Sequence, residues 1–129
     1  MKIAANIAGR LLGFVFVAFS LMFLLKLVPM PPPPPVGTPP ALFMGAFVPT
    51  GYLTFVKIFE IVGGCLVAVP LTRNLGLLVL GPIIINILAF HIFIAKGEGL
   101  VDPVLIVICL LALFLLWAER KAFAGLVNR

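Results

Sequence analysis

Four long apolar runs constrain this chain more than any other feature of its sequence. They cover residues 3–28, 52–70, 74–95 and 102–118. A helix needs about 20 mostly apolar residues to cross a bilayer, whereas strands of a membrane barrel alternate in polarity over about ten residues. These runs are too long and continuous for barrel strands, and a hydrophobic content of 64% exceeds that of a soluble domain. The sequence therefore predicts an all-α integral membrane protein.

The borders of the runs carry signals typical of helix ends. Thr50, Asn74 and Asp102 are residue types that cap helix N-termini, and Pro103 would occupy the first helical position. Two of the connections are short, so consecutive helices should be antiparallel neighbours. We expect a four-helix up-and-down bundle that forms one domain over residues 1–129.

The basic residues predict an orientation. If the N-terminus is cytoplasmic, most of them fall on the inner side, and only Lys26 and Lys96 fall outside. The inner residues are Lys2, Arg10, Arg73, Arg120, Lys121 and Arg129. The positive-inside rule then places both termini in the cytoplasm. The net charge of +5 is spread over short segments without a basic and aromatic stripe, so we expect the lipid bilayer, and no nucleic acid, as a partner.

The long connection at residues 29–51 is rich in proline. Five consecutive prolines, residues 31–35, should form a stiff polyproline II rod about 15 Å long. We interpret the segment as a rigid strap; a lid over the bundle or a ligand for a partner is the alternative. Cys65 and Cys109 fall at different predicted depths and form no CxxC motif, which argues against a disulfide between them.

Small residues mark the faces on which helices should approach closely. Ala5, Gly9 and Gly13 recur every four residues in the first run, and Gly63 and Gly64 lie in the second. The sequence leaves open whether the first face packs inside one bundle or between the subunits of a homo-oligomer. Gly81-Pro82 should kink the third helix.

Four polar residues inside the apolar runs are the candidate site. Lys57 and Glu60 share one face of the second helix. In the outer half of the third helix, His91 should lie level with Lys57 and Asn86 level with Glu60. Charges in a membrane are costly and usually face a protein interior or a polar cavity. Glu60 and His91 could exchange protons there, and Lys57 could hold an anion or a quinone oxygen. No cluster of histidine and cysteine suggests a metal site.

Two stretches resemble a known family. The sequences "KIFEIVGG" at residues 57–64 and "NILAFHIF" at residues 86–93, with the proline-rich first loop, resemble the DoxX family of small bacterial membrane proteins. The resemblance implies a four-helix, multi-pass protein of the bacterial cytoplasmic membrane. It also implies a relationship to the small membrane subunit of a thiosulfate:quinone oxidoreductase and to thiol and oxidative-stress redox systems. The family pattern falls on the following residues: Lys57, Glu60, Gly63, Gly64, Asn86 and His91.

Two hypotheses of function follow. The first is a membrane subunit that binds a small hydrophobic or quinone-like molecule in an outer polar pocket and supports a redox protein, without being catalytic alone. The second is a non-enzymatic membrane scaffold or transport component, in which Lys57 and Glu60 form a structural ion pair. No cofactor other than a quinone is suggested by the residues.

Overall fold

The computed structural model describes residues 2–27, 34–97 and 100–127. All regular elements within these ranges are helical. The α-helices are α1 (Lys2–Leu24), α2 (Pro39–Phe47), α3 (Tyr52–Ala68), α4 (Arg73–Ala89), α5 (Pro103–Ala118) and α6 (Arg120–Val127). A short 3-10 turn, Pro70–Thr72, joins α3 to α4, and a π-helical segment, Phe90–Ile94, extends α4.

Two to four of these helical segments could cross a membrane. Lys2–Leu24 and Pro70–Ile94 are each long and apolar enough on their own. The pairs α2 with α3 and α5 with α6 also qualify, but each pair bends sharply, by 78° and 74° respectively. The count rises to four if each bent pair contributes one span.

Helix α3 lies between α1 and α4 and is antiparallel to both. Gly13 of α1 meets the backbone of Gly64, and Gly76 of α4 meets the backbone of Val67, so that a side chain at either glycine would collide with α3. Helix α5 packs mainly on α1. Gly9 and Gly13 pack against the backbone of α3, and Ala5 belongs to the buried core. The three residues thus form a packing face within the chain.

Large apolar side chains cover the outside of the helices. Phe14, Ile85 and Leu113 are among those well exposed, whereas the closest helix contacts involve glycine. A soluble monomer rarely exposes contiguous apolar patches of this extent, while lipid solvates such a surface without cost. The distribution agrees with a membrane protein.

The connection at residues 29–51, interpreted above as a rigid strap, contains helix α2. Its apolar residues and the two prolines in its first turn start a helix at Pro39. Of the predicted polyproline rod, residues 31–33 lie outside the described ranges. Helix α6 is a further element that the sequence reading did not anticipate.

Helix α1 ends earlier than expected because its chain reverses at Lys26. The residue has φ 55°, and the amides of Lys26 and Leu27 donate to the carbonyls of Phe23 and Met22. This is the hydrogen-bond pattern of a Schellman motif, which usually places glycine in the left-handed position. The apolar run therefore continues beyond the helix itself.

Only one of the three predicted N-caps is formed. The Asp102 carboxylate accepts a hydrogen bond from the amide of Val104 at 2.9 Å. Thr50 instead donates its hydroxyl to the carbonyl of Ala46, and α4 begins one residue before Asn74. Pro82 lies within α4, which continues through it, and both cysteines are free.

Candidate functional site

Polar side chains gather at opposite ends of the α1, α3 and α4 unit. The first group, called the Glu60 cluster, comprises Ser20, Lys57 and Glu60, with the ring of Phe23 beside them. The second, called the Arg73 cluster, comprises Asn6, Arg73 and Glu119. Ser20 and Asn6 are both on α1, fourteen residues apart in the sequence, which corresponds to about 20 Å along a helix.

Lys57 and Glu60 form an ion pair within α3. Lys57 Nζ lies 3.4 Å from Glu60 Oε2. Glu60 is buried, with 5% of its surface exposed, while 22% of the Lys57 side chain is exposed. The one-face arrangement expected from the i, i+3 spacing is thus present, and the carboxylate is the inner partner.

Helix α1 supplies the neighbours of this pair. The Ser20 side chain faces the Glu60 carboxylate, and the Lys57 ammonium lies 5.4 Å from the centre of the Phe23 ring. Ser20 is fully buried, yet its hydroxyl makes no well-formed hydrogen bond to a described residue. Buried hydroxyls almost always have a partner. The Glu60 carboxylate is the acceptor that the Ser20 hydroxyl faces.

Glycine contacts hold α1 close enough to reach Glu60. A Cβ atom added at Gly64 would lie 2.9 Å from the carbonyl oxygen of Gly13 and 2.9 Å from Val17. Gly64 is one helical turn after Glu60, so the close contact and the charged pair share one side of α3. Gly63 packs instead against Leu80 of α4.

The two candidates from the third predicted helix occupy different surroundings. Asn86 is exposed on α4. His91 is half-buried in the π-helical segment, where its ring lies 5.4 Å from that of Phe90. A π-helical turn holds more residues than an α-helical turn, so the regular spacing of an α-helix does not relate Asn86 to His91 past Phe90.

An uninterrupted row of aromatic contacts joins α2 to its neighbours at the end that holds the Glu60 cluster. Phe43 contacts Phe90 at 4.7 Å and Phe47 at 3.9 Å between ring centres. Phe47 contacts Tyr52 at 4.5 Å, and the row continues along α3 through Phe55 and Phe59. Helix α2 is thereby attached to both α3 and the extension of α4.

Three helices meet at the Arg73 cluster. Arg73, at the start of α4, is buried with 4% of its surface exposed. Its Nη2 donates to Asn6 Oδ1 at 2.8 Å, and its Nη1 lies 3.6 Å from Glu119 Oε1 at the end of α5. This polar group links α1, α4 and α5.

Sequence reasoning missed Ser20 and the Arg73 cluster. Ser20 lies seven residues after Gly13, on the same face of α1, and this spacing could have revealed it. Arg73 was treated only as an orientation signal. In the predicted topology Asn6, Arg73 and Glu119 all lie near the cytoplasmic ends of helices one, three and four, so comparing their depths could have revealed this group.

Comparison with known proteins finds a partial match to one bacterial protein. No protein-family model matches the chain, and no solved structure does. "Uncharacterized protein YwoB" of Bacillus subtilis (strain 168) is 33% identical over 78 residues, which are 60% of this chain. They are 49% of that protein, so the chain spans about half the length of this relative.

Proposed function

We propose that the chain is a DoxX-like, multi-pass protein of a bacterial cytoplasmic membrane that binds a small amphipathic molecule at the Glu60 cluster. A quinone is the candidate ligand, and a redox protein is the partner that the bound molecule would serve. In this proposal the apolar body of the ligand lies among the exposed apolar side chains, and its polar head reaches Lys57, Glu60 and Ser20.

The Ser20 hydroxyl, which faces Glu60 without a well-formed hydrogen bond, carries this proposal. It is fully buried beside a carboxylate whose nearest cation is 3.4 Å away, beyond the usual length of a charge-assisted hydrogen bond. A hydroxyl or carbonyl of a ligand head would supply the missing partner for Ser20. The partly exposed Lys57 could bind a second ligand oxygen, as an ammonium has three donors.

The ion pair between Lys57 and Glu60 does little to hold helices together. Lys57 and Glu60 belong to one helix, so their attraction does not link α3 to a neighbour. By contrast, Arg73 bonds or pairs with side chains of two other helices. The structural role expected of an intramembrane ion pair is therefore better suited to the Arg73 cluster.

The proposed topology has four spans with both termini in the cytoplasm. Each bent helix pair then contributes one crossing, and α2 and α6 lie near opposite membrane surfaces. The basic residues support this orientation, because Lys2, Arg73 and Arg120 would be cytoplasmic. The up-and-down order agrees with the antiparallel packing of α3 against α1 and α4.

Native mass spectrometry of protein released gently from its own membrane tests the ligand, with quinone and lipid extraction of the same sample. We expect a bound molecule that is lost in Glu60→Gln and Ser20→Ala. Asn86→Ala is the matched control, since Asn86 is a polar residue exposed on α4. Equal occupancy in the wild type and in both Glu60 cluster variants would contradict the proposal.

A scaffold or transport component remains the second candidate, supported by the aromatic attachment of α2. Exposed α2 residues such as Leu42 offer an apolar surface for a partner. Exchange of the two charges, Lys57→Glu with Glu60→Lys, separates the candidates. If the folded double variant retains the function of the wild-type protein in cells, the scaffold is favoured. The double variant keeps an ion pair, but the two groups proposed to bind the ligand have changed places.

A further inference from the structure

A cavity lies beside the Arg73 cluster, far from the site proposed above. Its volume is about 300 Å³ and it is partly open to the surface. Apart from Ala5, Pro70 and Ala118, its walls are polar or charged: Lys2, Asn6, Arg73 and Glu119. The volume is sufficient for a small ligand group.

Arg73 is incompletely satisfied by the protein around it. The guanidinium has five N–H donors in a fixed planar arrangement. Nη2 bonds to Asn6, but Nη1 is 3.6 Å from the Glu119 carboxylate, and Nε has no hydrogen-bond partner among the described residues. An arginine that is 4% exposed normally acquires close, often bidentate, anionic partners. Here the ion pair with Glu119 is long, at 3.6 Å, so the guanidinium has no closely bonded anion among the described residues.

The charges around the cavity favour an anion. Lys2 and Arg73 contribute two positive charges to its walls and Glu119 contributes one negative charge, which leaves a net charge of +1. Helix α6 begins directly after Glu119 and adds Arg120 and Lys121, both exposed. The N-terminus of α4 at Arg73 adds the positive end of a helix dipole.

Helix α6 has the character of a helix that lies on a membrane surface. It turns away from α5 by 74°. Phe123 packs against the protein core and Leu126 is exposed, while two cations occupy its first turn. Basic amphipathic helices of this kind bind anionic lipid surfaces. The mouth of the cavity therefore lies next to helix α6, which has the character of a helix that lies among lipid headgroups.

We propose that this cavity binds a phosphate group, held by the Arg73 guanidinium and the Lys2 ammonium. A phosphate oxygen can accept from the guanidinium fork with the geometry that Glu119 fails to reach. The group could be presented by a phospholipid headgroup or by a free phosphate. The position of α6 favours the lipid, and the experiment distinguishes the two sources. This site is independent of the ligand proposed for the Glu60 cluster.

The chain contains its own reporter for the experiment. Trp117 is the only tryptophan, it is two residues before Glu119, and the Arg120 guanidinium stacks 4.6 Å from its ring centre. We would titrate the full chain in an uncharged detergent and follow Trp117 fluorescence. Three probes are used: short-chain phosphatidylglycerol, diacylglycerol with the same tails, and inorganic phosphate.

We expect saturable binding of phosphatidylglycerol and none of diacylglycerol. If inorganic phosphate neither binds nor competes, the source is a lipid headgroup. If inorganic phosphate gives the same saturable change with comparable affinity, the source is a free phosphate. Both results support a phosphate site. Equal responses to phosphatidylglycerol and diacylglycerol would overturn it, because the tails alone would then account for binding.

Two wall residues provide variants with opposite expected effects. Lys2→Gln should weaken phosphate binding about fivefold, the effect of one cation near a lipid surface. Glu119→Gln should strengthen it several-fold, because the competing carboxylate becomes neutral. Lys96→Gln is the matched control, since Lys96 is also exposed and lies at the opposite end of the molecule.

Lys2→Gln and Glu119→Gln should change phosphate affinity in opposite directions. They therefore test the site without replacing the buried Arg73, a change that could unfold the protein. A structural role for the cluster predicts that Glu119→Gln lowers stability and leaves phosphate affinity unchanged or weaker. That result, or an equal loss of affinity in Lys2→Gln and Lys96→Gln, would contradict the proposed site. Circular dichroism of each variant establishes that the compared proteins are folded.

Discussion

Gly9 of α1 lies so close to Arg73 of α4 that a Cβ atom at position 9 would come within 2.8 Å of Arg73 Nε. The same Cβ would lie 2.7 Å from the carbonyl oxygen of Val67. The glycine thus provides the space in which a buried guanidinium crosses between helices. The small-residue face of α1 consequently has two roles: close helix packing and accommodation of a charge.

Replacement of Gly9 by alanine should therefore destabilise the protein by about 1–3 kcal/mol, the usual cost of adding atoms to a packed interior. The methyl group must displace either the Arg73 side chain or the α3 backbone. Thermal unfolding in detergent, followed by circular dichroism, measures the change. An unaltered melting temperature would contradict this close approach of Gly9 to Arg73.

Gly13→Ala should be at least as destabilising, because the new methyl group would meet the backbone of Gly64, which cannot move aside by a rotamer change. Gly81→Ala is the matched control. Nothing lies within 4 Å of a Cβ at Gly81, and alanine favours a helix over glycine by about 1 kcal/mol. We expect the control to be neutral or more stable, and similar losses in both variants would refute close packing of α1 on α3.

Ser20→Ala should separate stability from ligand binding. Without ligand, removal of a buried hydroxyl that lacks a partner should leave the protein equally stable or raise its stability by about 1–3 kcal/mol. Binding of a quinone-like ligand should weaken, because its head loses a hydrogen bond. Melting temperatures with and without added quinone test both effects. A large loss of stability in the ligand-free variant would show that Ser20 already has a partner.

Lys26→Gly should stabilise the end of α1 by about 1 kcal/mol, because lysine at φ 55° bears a steric cost that glycine avoids. Lys26→Ala is the control, since it removes the same charge but retains a Cβ atom. Melting temperatures of the two variants give the comparison. If the alanine variant gains as much as the glycine variant, the effect arises from the charge and not from the backbone.

The apolar runs predicted the long helices well, because the requirement to satisfy every backbone polar group in lipid leaves few alternatives. They did not reveal α2 or α6. Both are short, and each is separated from a longer apolar helix by a sharp bend, α2 before α3 and α6 after α5, which hydropathy does not register. The π-helical segment at Phe90–Ile94 likewise depends on backbone hydrogen bonding that has no simple sequence signal.

The candidate site could be predicted only in part. The spacing of Lys57 and Glu60 predicted their shared face, since that relationship lies within one helix. The neighbours of Glu60 could not be obtained in this way, because they depend on which helices touch. Ser20 reaches Glu60 because the contact of Gly13 with Gly64 brings α1 against α3, whereas Asn86 is exposed on α4. Helix pairing is a property of the whole chain.

The row of aromatic rings from Phe90 through α2 to Phe59 makes the two ends of the helix assembly respond differently to ionic strength. One end of the helix assembly is closed by aromatic contacts, which ionic strength hardly alters, and the other by the charges of the Arg73 cluster, which salt screens where they are exposed. Because Arg73 is 4% exposed, salt should weaken that end only slightly, and neither end should open at high ionic strength. Contacts of different kinds therefore hold the two ends of the helix assembly: aromatic stacking through α2 at one end and hydrogen-bonded charge around Arg73 at the other.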